Sequence, residues 1–170
     1  MVWQCSRCGA EHAGLPLDWV YEEPDYWDGG RSDEDFLTEN YCTWTDDNDV
    51  LCYFLRGLIE IPIVGSTDVF AYGAWASVSK ESFERVLDLW DVPTRLDEPG
   101  FFGWLSNSLP GYAETLNVPL DVVMRGRGIR PAFVLREADH ELVREQREGI
   151  PLERVREIAE LHMHGSPAPV

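Results

Sequence analysis

The chain has 170 residues, 44% of them apolar and 12% aromatic, with seven Trp, a globular composition that argues against general disorder. Thirty-one acidic against 14 basic residues give a formal net charge of −17. That charge disfavours nucleic acid and anionic membrane surfaces as partners and favours a basic protein or a cation. One domain is expected at this length. No apolar run approaches the ~20 residues of a membrane helix, and no basic start with an apolar h-region marks a signal peptide. A cytoplasmic protein is therefore expected. Its four Cys (Cys5, Cys8, Cys42 and Cys52) then read as metal ligands or core residues rather than disulfides.

Residues 1–20 read as a knuckle followed by a turn. Cys5-Ser6-Arg7-Cys8-Gly9-Ala10-Glu11-His12 places two thiols two residues apart and an imidazole four positions after the second. That spacing suits a tetrahedral zinc site with Gly9 at the tight turn, and it leaves one coordination position to fill. Residues 21–49 form an acidic loop region. A short helix is expected near Ser32–Glu39, capped by Ser32. Asp46-Asp47-Asn48-Asp49 lacks the spacing, central Gly and distal Glu of a calcium loop and reads as a turn between strands.

Residues 50–164 carry the expected core. From Val50 to Val64, residues Leu51, Tyr53, Leu55, Ile59, Ile61 and Ile63 share one parity and predict a strand, with Gly57 at a bulge or bend. A second strand over 68–78 completes an antiparallel hairpin. Ser79 caps a helix whose stripe is Phe83, Val86, Leu87 and Trp90. Residues 97–112 read as a packed loop. Strands are expected near 118–125 and 130–136. Asp139 is the expected N-cap of a helix reaching Glu148, and a last helix starts at Pro151. The tail, 165–170, is expected to fray. Strands and helices segregate, which predicts an α+β fold: an antiparallel sheet of about four or five strands with helices packed on one face.

Seven segments together carry a resemblance: CSRCGAEHAGLPL near the start, NYCTW around Cys42, FLRGLIEIPI at 54–63, YGAWASVS at 72–79, FFGWLSNSLPGY at 101–112, IRPAFVL at 129–135 and DHELVREQREGI at 139–150. In this order the chain resembles the bacterial domain-of-unknown-function family catalogued as number 2199. The resemblance implies a bacterial, mostly stand-alone, soluble protein and brings no activity with it. The acidic 21–49 stretch and Cys52 depart from the family's pattern. The resemblance also places Cys42 at a recurrent Cys position, which nominates it as the fourth zinc ligand beside Cys5, Cys8 and His12. His140 is the alternative fourth ligand.

Three readings of the knuckle compete: a structural zinc site, a metal-free turn with buried thiols, and a redox dithiol. The last is disfavoured because no helical pattern follows Cys8. His162 and His164 look like a metal-binding pair, but at the fraying end of a helix they read instead as cations suited to its C-terminus. Arg56, Glu60 and Arg130 read as a solvent-side cleft or as cross-strand ion pairs. Trp75, Trp90, Trp104, Phe101, Phe102 and Tyr112 read as core. The favoured function is a structural-zinc interaction or regulatory module with a basic protein partner. The alternative is a metal-dependent hydrolase with an open zinc site and Glu11 or His140 as base.

Overall fold

A computed structural model describes residues 2–136 and 138–165. The expected α+β arrangement is corrected. Among the described residues the protein is mostly sheet, with mixed strand directions and three short α-helices, and five of the strands close into a barrel.

The two longest strands form the hairpin that the alternation predicts. Strand β6 (Leu51–Pro62) pairs antiparallel with β7 (Val69–Val78) over ten residue pairs. The turn before β6 is held by Asp46, whose carboxylate accepts the Asn48 and Val50 N–H groups. Residues 101–105, expected as loop, form strand β8 (Phe101–Leu105). It pairs with β7 on one side and with β9 (Pro119–Val123) on the other. Strand β9 pairs with β10 (Ala132–Leu135), and β10 returns to β6 in parallel through Ala132 and Leu58. This last contact closes the ring β6–β7–β8–β9–β10. Leu55, Ile59, Ile61, Phe70, Leu120 and Phe133 are among the side chains that fill it, each 2% exposed or less. A closed ring removes most of the free edges that an open sheet would present.

Gly57 is not at a bulge. It sits in regular register opposite Ala74. A Cβ there would lie 2.3 Å from the Phe133 ring, so glycine is what lets that ring cross the strand inside the barrel.

The acidic segment covers the other face of the hairpin. Strands β4 (Phe36–Leu37) and β5 (Tyr41–Thr45) extend the sheet from β6, and β3 (Asp18–Val20) runs parallel to β7. Trp75, Phe54, Trp44 and Cys42 form a second core beneath this layer. The helix expected near Ser32–Glu39 does not form. Instead the Asp35 carboxylate accepts N–H groups from Arg31, Ser32 and Thr45, which pins a turn onto β5. Asp25 and Asp28 are likewise acceptors within the layer, from Asn107 and Trp44. Several acids of this region therefore build the loop rather than face outward.

Helix α1 (Lys80–Leu89) is capped by Ser79 as expected and buries Phe83, Val86 and Leu89. Helix α2 (Glu141–Glu148) is capped by His140 rather than Asp139: the His140 Nδ1 accepts the Leu142 N–H. Helix α3 (Leu152–His164) begins after Pro151 and buries Val155, Ile158 and Ala159. Of the aromatic set read as core, Trp75 is fully buried. Phe102 and Trp104 are 38% and 43% exposed on the outside of the barrel. Of the tail expected to fray, residues 166–170 lie outside the described residues. No helix among the described residues is long and apolar enough to cross a membrane.

Candidate metal centre

The knuckle sits at the end of a small hairpin, β1 (Val2–Gln4) with β2 (Glu11–Ala13). Two backbone bonds shape it: Cys5 N–H to Ala10 O at 2.9 Å and Gly9 N–H to Cys5 O at 3.0 Å. Gly9 has φ +70°, the left-handed conformation that glycine adopts without strain. Trp3 lies opposite His12 across the hairpin and stacks on its ring, 5.1 Å between centroids.

The far end of the chain completes the cluster. Helix α3 brings His164 against the knuckle, so that Cys5, Cys8, His12 and His164 offer one ligand atom each, all within 4.8 Å of one another. The Cys5 Sγ to His164 Nε2 distance is 3.3 Å, and Cys8 Sγ to His12 Nε2 is 3.6 Å. Zinc bonds of ~2.3 Å to sulfur and ~2.0 Å to nitrogen at a tetrahedral angle require S···N edges of about 3.5 Å. These two S···N pairs already stand near that spacing, and the remaining donor separations reach no further than 4.8 Å.

Other contacts hold the same docking. The Glu160 carboxylate accepts the Ser6 N–H and the Ser6 hydroxyl, both at 2.5 Å. These two bonds outweigh desolvation and hold the Glu160 carboxyl below its usual range. Arg7 donates to the Gly165 carbonyl, and Ala159 packs on Trp3 and Cys5. Cys8 is exposed. A hydrogen bond with His12, and secondly one from the Ala10 amide, lower its thiol pKa.

Of the residues nominated from sequence, Cys5, Cys8 and His12 are thus brought together. Cys42 and His140 lie elsewhere. Cys42 is fully buried in β5 among Trp44, Phe54 and Trp75. Desolvation, with Asp35 and Glu23 adding to it, pushes its thiol up to about 12, which favours the neutral thiol over the thiolate a metal requires. His140 caps α2, with its Nε2 against the Glu114 carbonyl. His162 and His164 both stand in the last turn of α3, but His162 is half-buried rather than a solvated cation. His162 stacks on Trp19 at 4.3 Å and 8°, and burial lowers its pKa to about 4. Of the two, only His164 joins the cluster.

Arg56 and Arg130 meet at the Glu39 carbonyl, to which both donate, while Glu60 stands apart from them. Arg56 is 4% exposed, lies over Trp75 and donates to the Glu39 carbonyl. Glu60 pairs with Arg125, and Arg130 donates to the Asn40 side chain.

The Cys-Cys-His knuckle and the barrel strands fall within one family. A family model described as "uncharacterized protein conserved in bacteria (DUF2199)" matches residues 4–150. The chain belongs to DUF2199. The matched span holds three of the four clustered side chains and stops before α3, which supplies His164. Comparison with curated proteins and with solved structures finds no match.

Proposed function

We propose that this protein is a zinc-stapled binding module of the DUF2199 family, with Cys5, Cys8, His12 and His164 holding one structural Zn²⁺. The observation that carries this reading is the convergence of two thiols and two imidazoles within 4.8 Å of one another from opposite ends of the chain. The donor set is the soft nitrogen–sulfur set that zinc prefers, and four protein ligands leave no position for a reacting water. This weighs against the hydrolase alternative, which needs three ligands and an open site. Neither candidate base supports it: His140 caps a helix elsewhere, and Glu11 is an exposed strand residue.

The working surface then lies away from the metal. The net charge of −17 speeds encounter with a basic protein and repels anionic polymers. A reducing, cytoplasmic setting suits the four free thiols.

Zinc content tests the staple. Purified protein should carry about one zinc per chain, and Cys5→Ser with Cys8→Ser should remove it. Cobalt substituted for zinc should give the intense visible bands of a tetrahedral site, with charge-transfer bands from two thiolates. A folded protein that binds neither metal overturns the reading. Cobalt bands that change when azide or another small anion is added mark an exchangeable water and return the open site to consideration.

A further inference from the structure

The fully buried Arg95 shows how this fold handles a structural guanidinium. Its Nε, Nη1 and Nη2 donate to the carbonyls of Arg125, Trp90 and Ile129. Arg56 is treated differently. It is 4% exposed, its Cζ lies 5.7 Å from the Trp75 ring centre, and its Nη1 donates to the Glu39 carbonyl at 3.1 Å. Its Nε and Nη2 are buried and have no hydrogen-bond partner among the described residues. These two atoms form the side-on edge of the guanidinium, the fork that grips a carboxylate with two parallel bonds. Arg85 and Arg136 show the match within this chain: the same edge holds Glu98 in one and Asp121 in the other. A buried charged donor left unmatched is costly, so the Arg56 fork calls for an acceptor.

A second guanidinium stands beside it. Arg130 donates to the Asn40 side chain and to the same Glu39 carbonyl. The bonds of both arginines go to carbonyl and amide oxygens, none to a carboxylate among the described residues. Burial first, and the Arg130 charge second, lower the Arg56 pKa, while Glu22 and Glu39 act the other way. The pair sits where the sheet divides. On this edge β6 pairs with β5 from Leu51 to Leu55 and with β10 at Leu58, and Arg56 stands between. Leu58 follows Arg56 on the same face of β6, roughly 7 Å along. With its partner Ala132 it lines a cavity of about 530 Å³, whose walls include Val134, Leu135 and Val143. Glu60, two residues further along, is already paired to Arg125. An apolar cavity of this volume is in the range of ligand sites, and two guanidiniums next to it suit an amphipathic anion.

We propose that Arg56 and Arg130 bind the carboxylate of a small carboxylic acid, such as a medium-chain fatty acid, whose apolar tail lies over Leu58 and Ala132 in the cavity. The carboxylate takes the Nε–Nη2 fork of Arg56 as Glu98 and Asp121 take those of Arg85 and Arg136. A monoanion is favoured over a phosphate dianion. Glu22 and Glu39 already oppose the two guanidiniums, and the whole chain carries −17. The charged groups around the fork, Arg130, Glu22 and Glu39, are half-buried or exposed, so turning side chains, with no strand displaced, admits the ligand. The proposal deepens the binding-module reading by naming a ligand. It is independent of the metal, since none of the four clustered side chains takes part.

The test titrates the zinc-assayed full chain with sodium octanoate, following arginine Nε–H signals by two-dimensional NMR and affinity by calorimetry. The Arg56 and Arg130 signals should shift together while those of Arg85 and Arg136 stay in place. Octanol has the tail without the charge and inorganic phosphate the charge without the tail; each should bind at least about tenfold more weakly. From butanoate to octanoate the affinity should rise by up to about fourfold per methylene. Arg130→Gln, at a half-buried position, should weaken octanoate at least about tenfold, and Arg56→Gln should abolish binding. Should Arg56→Gln not fold, the Nε–H shifts and Arg130→Gln decide the matter. Absence of the Arg56 shift overturns the proposal, and so does octanol binding as tightly as octanoate. Tighter binding of phosphate overturns the carboxylate as ligand, and an affinity independent of chain length overturns the placing of the tail. An Arg56 Nε–H whose solvent exchange accelerates on Glu22→Gln or Glu39→Gln is held by the chain's own carboxylate, which overturns the proposal too. A zinc-loaded protein that gives no shifts refutes the carboxylate site and leaves the staple intact, whereas octanoate binding by a metal-free protein refutes the staple alone.

Discussion

Substituting His164 by Ala isolates the long-range part of the staple. Cys5 and His164 are 159 positions apart, so a metal joining them closes nearly the whole chain. In the chain-entropy treatment of a cross-link, a loop of that size is worth about 5 kcal/mol at 25 °C. Treated instead as ligand binding to the folded state alone, zinc at about 100 times its Kd contributes ~2.7 kcal/mol. The zinc-dependent stability of the native chain should fall between these limits, a Tm rise of roughly 5–20 °C for a domain of this size. His164→Ala leaves Cys5, Cys8 and His12 on one knuckle. They can still hold metal, but without a link to α3. The variant should lose most of the zinc-dependent increment and differ little from the native chain in chelator, because His164 is an exposed residue. Urea titrations of both proteins, each with zinc and with EDTA, give the four free energies required. A native midpoint that does not move with zinc, or a His164→Ala midpoint that rises as much as the native one, refutes the reasoning.

Three further outcomes follow from particular contacts. Cys42→Ala should leave the zinc stoichiometry unchanged, as metal analysis will show, because that thiol is buried in the second core with Trp44, Phe54 and Trp75. Gly57→Ala should cost about 1–3 kcal/mol in urea unfolding, since its Cβ would meet the Phe133 ring at 2.3 Å; unchanged stability would mean that the ring relaxes freely. Asp35→Asn should change the acid limb of the stability curve. Desolvation raises the Asp35 carboxyl, but hydrogen bonds from Thr45, Arg31 and Ser32 outweigh it and hold the group well below its usual range. A depressed folded pKa gives stability that is present above the unfolded value, ~3.9, and lost as pH falls below it. The Asn variant should therefore be less stable at pH 7, and its deficit should shrink as pH drops from ~5 to 2.

The legible parts of this fold are those whose partners are close in sequence. The β6–β7 hairpin, the β9–β10 hairpin and the Ser79 cap depend on neighbours no more than 25 residues apart, and alternation or capping chemistry reveals them. Strand β8 was hidden because both its faces carry aromatics. Phe101 packs on the core while Phe102 and Trp104 lie outside, so no polar alternation marks it. Missing that one strand turns a closed barrel into an open sheet, since β8 alone joins β7 to β9. The β6–β10 closure is harder still to foresee, because it is parallel, rests on one residue pair and is finished by a glutamine side chain.

The metal cluster divides in the same way. Cys5, Cys8 and His12 share one short turn, so their spacing alone nominates them. Nothing local distinguishes His164 from any histidine at a helix end. Its role depends on α3 lying against a hairpin more than 150 positions away, which the Ser6–Glu160 and Arg7–Gly165 bonds and the packing of Ala159 on Trp3 establish. These contacts also explain why a fourth ligand from the middle of the chain would fit poorly. Cys42 serves the second core, where a thiolate would be buried near Asp35 and Glu23, and drawing it to the knuckle would empty that core. A ligand at the end of α3 disturbs no such packing. A metal held there would tie the first and last described elements to each other and leave the barrel free of any role in holding it.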